Sequence, residues 1–164
     1  MNIRTATSED ISILQEIARQ MGDHHEAGYF ERCLAEQAAG KREIFLADKA
    51  GYAQLIWQPV YPLFRRLDMP EIQDICVVPD ARRQGIGTGL VHHCENIARS
   101  AGKTDIGISV GLHARFGAAQ RLYVGLGYIP DGSGIAYDDV SVKAGEINPV
   151  DSFLTLKLTK NLNT

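Results

Sequence analysis

Val77-Val78-Pro79-Asp80-Ala81-Arg82-Arg83-Gln84-Gly85-Ile86-Gly87-Thr88-Gly89 places three glycines at every second position where a β-rich run hands over to an amphipathic one. On its N-terminal side, Glu71 to Val78 reads as a strand ending at Pro79. On its C-terminal side, Gly87 to Ala101 reads as a helix with Leu90, Val91, Cys94, Ile97, Ala98 and Ala101 on one face and Gly102 beyond its end. Glycine lets a backbone come close to a ligand and turn its N–H groups inward. Unpaired N–H groups at a helix start, aided by the helix dipole, form a site for pyrophosphate or a similar anion, and Arg82 and Arg83 add positive charge beside it. A sharp turn that uses glycine for geometry alone is the competing reading of a lone Gly-x-Gly.

Two other phosphate-binding patterns fail on spacing. A P-loop ends in Gly-Lys followed by Ser or Thr, and the chain has no lysine between Lys49 and Lys103. A dinucleotide fingerprint is G-x-G-x-x-G, whereas Gly85-x-Gly87-x-Gly89 runs on into Leu90. Asp105 lies at the distance of a ribose-binding acid but precedes the next strand instead of ending it.

Working outward, Ile3 to Ala6 reads as a short strand. Thr7 or Ser8 then caps a helix whose apolar positions are Ile11, Leu14, Ile17, Ala18 and Met21, closed by Gly22. A second helix is expected over Ala27 to Ala39. Glu43 to Ala47 and Tyr52 to Trp57 form a hairpin across Asp48-Lys49-Ala50-Gly51, with Gly51 supplying the turn. The segment Pro59 to Pro70, with three prolines, reads as a surface loop. Downstream follow a strand at Ile106 to Val110, a helix at Ala118 to Leu126, and closing strands at Ile135 to Val142 and Phe153 to Leu158. The order β-α-α-β-β-β-α-β-α-β-β is an α/β mixture in a single domain over residues 1–164, with no repeat or linker.

Composition bounds the partners. With 17 Lys and Arg against 20 Asp and Glu, the net charge of -3 creates no field that would recruit nucleic acid or an anionic membrane. Cys33, Cys76 and Cys94 are odd in number and lack C-x-x-C spacing, so neither a disulfide framework nor a zinc site is indicated and a reducing cytoplasm fits. Met1-Asn2-Ile3-Arg4-Thr5 has no apolar leader, and no stretch approaches the roughly 20 apolar residues that span a bilayer. The reading is of a cytoplasmic protein; a homodimer is left open.

Arg82-x-x-Gly85-x-Gly87, introduced by Val77-x-Pro79 and followed by an amphipathic helix, resembles the R/Q-x-x-G-x-G/A signature of the GNAT superfamily of N-acetyltransferases. Ala119-Gln120-Arg121-Leu122-Tyr123-Val124-Gly125-Leu126-Gly127-Tyr128 resembles that family's A-x-x-L-Y-x-x-L-G-F/Y helix end, and Ile3-Arg4-x-Ala6-Thr7 its first strand. The resemblance implies a mixed sheet of six to seven strands with splayed parallel strands 4 and 5, about four helices, and acetyl-CoA as cosubstrate in the splay. Main-chain amides from Arg83 through Gln84, Gly85, Ile86 and Gly87 to Thr88 would then hold the pyrophosphate, with Arg82 and Gly89 flanking them. Cys76, Val77 and Val78 would pair with the pantetheine arm. The family's asparagine before its last long helix is replaced by Phe116-Gly117-Ala118.

The implied chemistry is attack of an amine on a thioester, for which no metal is required. His24-His25 and His92-His93 are adjacent pairs whose side chains diverge, and His113 stands alone, so no metal cluster is read. Glu71, eleven residues before Arg82, stands where several family members carry a catalytic glutamate; a partly screened carboxylate is a better base. Strand alternation puts Glu71, Gln73, Ile75 and Val77 on one face and Asp74, an alternative base or amine anchor, on the other. Tyr123 offers a phenol to protonate the departing thiolate. Tyr128 reads as core, and Trp57, Tyr61 and Phe64 as possible walls of an acceptor pocket. The acceptor expected is the primary amine of a small molecule. A peptide N-terminus and a non-catalytic acyl-CoA-binding module are the alternatives.

Overall fold

The computed structural model describes residues 1–164. In chain order the elements are β1 (Ile3–Thr5), α1 (Ile11–Gln20), α2 (Tyr29–Ala38), β2 (Arg42–Ala47), β3 (Gly51–Ile56), α3 (Pro62–Arg66), β4 (Glu71–Val77), α4 (Ile86–Ser100), β5 (Asp105–Gly111), α5 (Gly117–Gly125), β6 (Ile129–Tyr137), β7 (Val140–Ser141) and β8 (Leu154–Asn161). The strands form one eight-stranded mixed sheet in the order β1-β2-β3-β4-β5-β8-β6-β7. No helix is long and apolar enough to cross a membrane.

Strand alternation divides the core between the two faces of this sheet. Phe45, Leu55, Ile72, Ile108 and Val110 pack with Leu90 and Val91 of α4 and Tyr123 of α5. Ile44, Leu46, Tyr52 and Cys76 pack on the other face with Leu14 and Ile17 of α1 and Phe30 of α2.

The parallel pair at the centre positions the site. β4 and β5 are in register only at Glu71↔Gly107 and Ile72↔Ile108. β5 stays paired with β8 from Asp105 to Gly111, while β4 follows β3. From Gln73 onward the two strands therefore diverge, and a wedge opens toward the start of α4.

The sheet has more strands and helices than expected, for local reasons. Pro59 to Pro70 contains α3, because Pro62 stands in the first helical turn, where its missing N–H costs nothing. Nor does this segment ride on the surface: Tyr61, Phe64 and Met69 are buried. The Phe64 ring lies so close to Gly107 that a Cβ there would stand 2.3 Å from it. The expected strand Ile135 to Val142 is instead the end of β6, a turn at Asp138-Asp139 and the short β7. Both aspartates take positive φ, 47° and 61°, which the short polar side chain tolerates. In the β2–β3 turn the positive φ, 48°, falls on Asp48 instead of Gly51. Gly51 serves close approach, since its missing Cβ would lie 2.6 Å from the Cys76 carbonyl oxygen.

Candidate active site

Where β4 gives way to α4, none of the main-chain N–H groups of Arg83, Gln84, Gly85, Ile86, Gly87 and Thr88 donates to an acceptor within the protein. The first turn of any helix leaves its amides unpaired, and here positive φ at Arg83, 59°, and Gly85, 81°, extends the set backward into the loop. Gly89 lies outside it: its N–H donates to the Gly85 carbonyl at 2.9 Å, and its missing Cβ makes room for Met1. The Arg82 guanidinium turns away from these amides, Nε donating to the Val77 carbonyl at 3.3 Å and Nη2 to Met21 Sδ at 3.2 Å. Arg115, from the loop before α5, donates to the Met21 carbonyl, so arginines from both sides of the wedge meet the end of α1. Val78 has both main-chain groups occupied, its N–H on Ala50 and its carbonyl on the Ala81 amide. Cys76 and Val77 are the residues at the diverging end of β4.

The middle of β4 is not a regular strand. Tyr52 pairs with Cys76 and Gln54 with Gln73, so Ala53 stands opposite both Asp74 and Ile75. Asp74 at φ 51° is the extra residue of a β-bulge. The bulge shifts the alternation, and this corrects the expectation that Glu71 shares a face with Ile75 and Val77 while Asp74 lies opposite. Ile72, Ile75 and Val77 face the α4 and α5 side, whereas Cys76 and the Asp74 carboxylate face α1 and α2. Glu71 faces that second side as well, since it meets Ser109, which alternates with Ile108 and Val110.

The two carboxylates differ in environment. Glu71 is fully buried at the closed end of the wedge. Its Oε1 accepts from Lys157 Nζ at 3.1 Å and from the Ser109 hydroxyl, and its Oε2 from Gln73 Nε2 at 2.9 Å. Lys157, itself 2% exposed, gives its remaining donors to Ser109 Oγ at 2.6 Å and to Asp139, and lies 4.9 Å from the centroid of the Tyr61 ring. Asp74 is exposed at the open part of the wedge. Its Oδ2 accepts from Tyr29 Oη and Gln54 Nε2, each at 2.7 Å, while Oδ1 has no partner in the protein.

Tyr123 projects from α5 into the core, 6% exposed, with no hydrogen bond acting on its hydroxyl. Burial first, and the nearby Cys76 thiol second, push its pKa well above the ordinary phenol value, so it is a neutral donor. Tyr128 is core, its hydroxyl donating to the buried Glu95 at 3.0 Å. A cavity of about 270 Å³ between α1 and α2 is lined by Asp23, His24, His25, Glu26 and Tyr29 among others, with the His25 ring stacked on Tyr29 at 3.9 Å.

Sequence reasoning missed Lys157, Ser109, Asp139, Gln54 and Tyr29. Lys157 sits between Leu156 and Leu158, where alternation reads as an outward polar residue. Gln54 carried a signal, being a single polar residue inside the otherwise apolar run Tyr52 to Trp57.

The family model for the acetyltransferase (GNAT) domain matches residues 40–130, which include the wedge, the amide-rich turn and α5. The chain belongs to this family of acetyltransferases. Similar solved structures include the ribosomal-protein-alanine N-acetyltransferase of Brucella melitensis, at TM-score 0.72 and 19% identity, covering 98% of this chain and 99% of that one. The structure of yncA of Salmonella typhimurium with its cofactor acetyl-CoA aligns at TM-score 0.68 and 21% identity over 99% and 94%. An aminoglycoside 6'-N-acetyltransferase complexed with coenzyme A aligns at 0.70 and 16% over 99% and 97%. No curated protein matches in sequence.

Proposed function

We propose that the protein acetylates a primary amine of a small molecule by direct attack on acetyl-CoA in a ternary complex. The observation that carries this reading is the run of unpaired amides from Arg83 to Thr88 at the mouth of the wedge between β4 and β5. Six unpaired donors leading into a helix N-terminus fit a pyrophosphate. The edge of β4 at Cys76 and Val77, unpaired with β5, fits the amide groups of a pantetheine arm. Bound acetyl-CoA supplies the thioester carbonyl that the amine attacks.

The chain's own residues divide the remaining work. Asp74 receives the amine, because it is exposed and its Oδ1 has no partner in the protein, while both oxygens of Glu71 are engaged by Lys157, Ser109 and Gln73. Glu71 with Lys157 closes the narrow end of the wedge as a fixed pair. Tyr123 donates its proton to the sulfur as the C–S bond breaks, and the amine's proton leaves through Asp74 to water. A metal has no part in this scheme.

The test is thiol release from acetyl-CoA with glycine, lysine, spermidine, kanamycin and an alanine-led peptide. Release above hydrolysis with one of the small amines supports the reading. Release with the peptide alone moves the acceptor to a polypeptide N-terminus, and binding of acetyl-CoA without release to any amine identifies a binding module.

A further inference from the structure

We propose that Gln54 and Arg42 are positioning residues that hold Asp74 as a pure acceptor, and so set the amine end of the wedge for acceptors that bring N–H donors, that is, protonated amines. This rests on the role given to Asp74 above. Gln54 is 0% exposed at the centre of β3, where Tyr52, Ala53, Leu55 and Ile56 are all buried apolar neighbours. A buried amide must satisfy both of its ends, and by shape alone it fits either way round. Arg42 breaks that symmetry. A guanidinium has donors and no acceptor, so its Nη1, 2.7 Å from Gln54 Oε1, obliges the carbonyl end to face it. Arg42 is held in turn by α2, with Nε on Glu36 at 2.6 Å and Nη1 on Cys33 Sγ at 3.2 Å.

The direction of donation is then fixed along the array. The Gln54 NH2 group donates to Asp74 Oδ2 at 2.7 Å and to Tyr29 Oη at 3.0 Å. Tyr29, already accepting, gives its single proton to the same Oδ2 at 2.7 Å. Both donors therefore converge on one carboxylate oxygen and leave Oδ1 of the exposed Asp74 without a partner in the protein. The array also restrains the bulge, where a non-glycine residue at φ 51° needs outside support.

Arg42→Met tests this in the intact protein, since Arg42 touches neither Asp74 nor the wedge. Two readouts are taken. In nuclear Overhauser spectra of the free protein, the wild-type Gln54 side-chain NH2 contacts the Tyr29 ring; in Arg42→Met that contact weakens and a reversed amide appears. In kinetics with the best amine of the panel, the amine KM rises about tenfold, the value of one hydrogen bond to a charged group, with kcat and the acetyl-CoA KM within twofold of wild type. Gln54→Met gives the same pattern, and the double variant is no worse than Gln54→Met alone, because both act through one path. Tyr29→Phe, which keeps the stack on His25, shifts the amine KM in the same direction should the buried variants fail to fold. An unmoved NH2 contact in Arg42→Met, additive losses in the double variant, or an unchanged amine KM in Tyr29→Phe overturns the inference. If no panel amine is acetylated, the functional reading fails and the spectrum alone still decides the positioning.

Discussion

The Tyr123 phenol, 6% exposed in the core and with no hydrogen bond, has little to contribute until negative charge develops beside it. Tyr123→Phe therefore lowers kcat by about 10²- to 10⁴-fold, the usual range for a lost general acid, while acetyl-CoA binding and melting temperature stay near wild type. The phenol's folded pKa is raised, so the donor is protonated throughout the neutral range and is lost only as pH rises beyond the ordinary phenol value. The wild-type kcat accordingly shows no alkaline fall from this group below about pH 10. Wild-type turnover in a folded Tyr123→Phe protein would remove the residue from the mechanism. Lys157 poses the opposite case, a charge fully engaged in the resting protein. Lys157→Met leaves Glu71 and Asp139 without their shared cation and destabilises the fold by about 3–5 kcal/mol, measured by denaturant unfolding. A loss under 1 kcal/mol would show that the pair is replaceable. The motif singles out Tyr123 for its proposed role, whereas nothing along the chain singles out Lys157, because burial of a strand lysine depends on Glu71, 86 residues earlier, and Asp139.

Among the elements, the proposed scheme has its two ends at the turn into α4 and the bulge in β4. Gly87 lies in the first turn of α4, where an added Cβ would stand 3.4 Å from Leu122 Cδ2 and 4.0 Å from Val77 Cγ2, within ordinary contact. Gly87→Glu folds but loses acetyl-CoA binding, because it brings a negative charge to the proposed anion site; an undiminished ligand-induced thermal shift would place the phosphate site elsewhere. At the bulge, Asp74→Asn keeps the residue type most tolerant of positive φ and removes the charge. The amine KM rises at least tenfold while the acetyl-CoA shift is retained, and equal loss of both would make Asp74 structural. The glycine turn was legible because it depends on a few adjacent residues. The bulge was not: regular alternation along Glu71 to Val77 puts Glu71 and Asp74 on opposite faces, and only the register against β3 reveals the extra residue.

At the scale of the molecule, the wedge is a break in a continuous sheet, sustained because β4 is committed to β3 and β5 to β8. A ligand seated in it bridges the two halves and binds only the folded chain. Acetyl-CoA at 100 times its Kd should stabilise the protein by about 2.7 kcal/mol, followed by calorimetry; no shift at saturating concentration would contradict the wedge as its site. The sequence by itself determined most of the element order, the glycine-rich turn into α4 and the family, since helical and strand periodicity, caps and glycine turns are set by residues close along the chain. Tertiary structure alone decided the eighth strand and α3, the docking of Phe64 on Gly107, the burial of Lys157 and the shared face of Glu71 and Asp74. Each of these rests on contacts between distant segments, such as Gln54 with Asp74 or Ser109 with Glu71, and a pattern read along one strand carries no information about its neighbour's register.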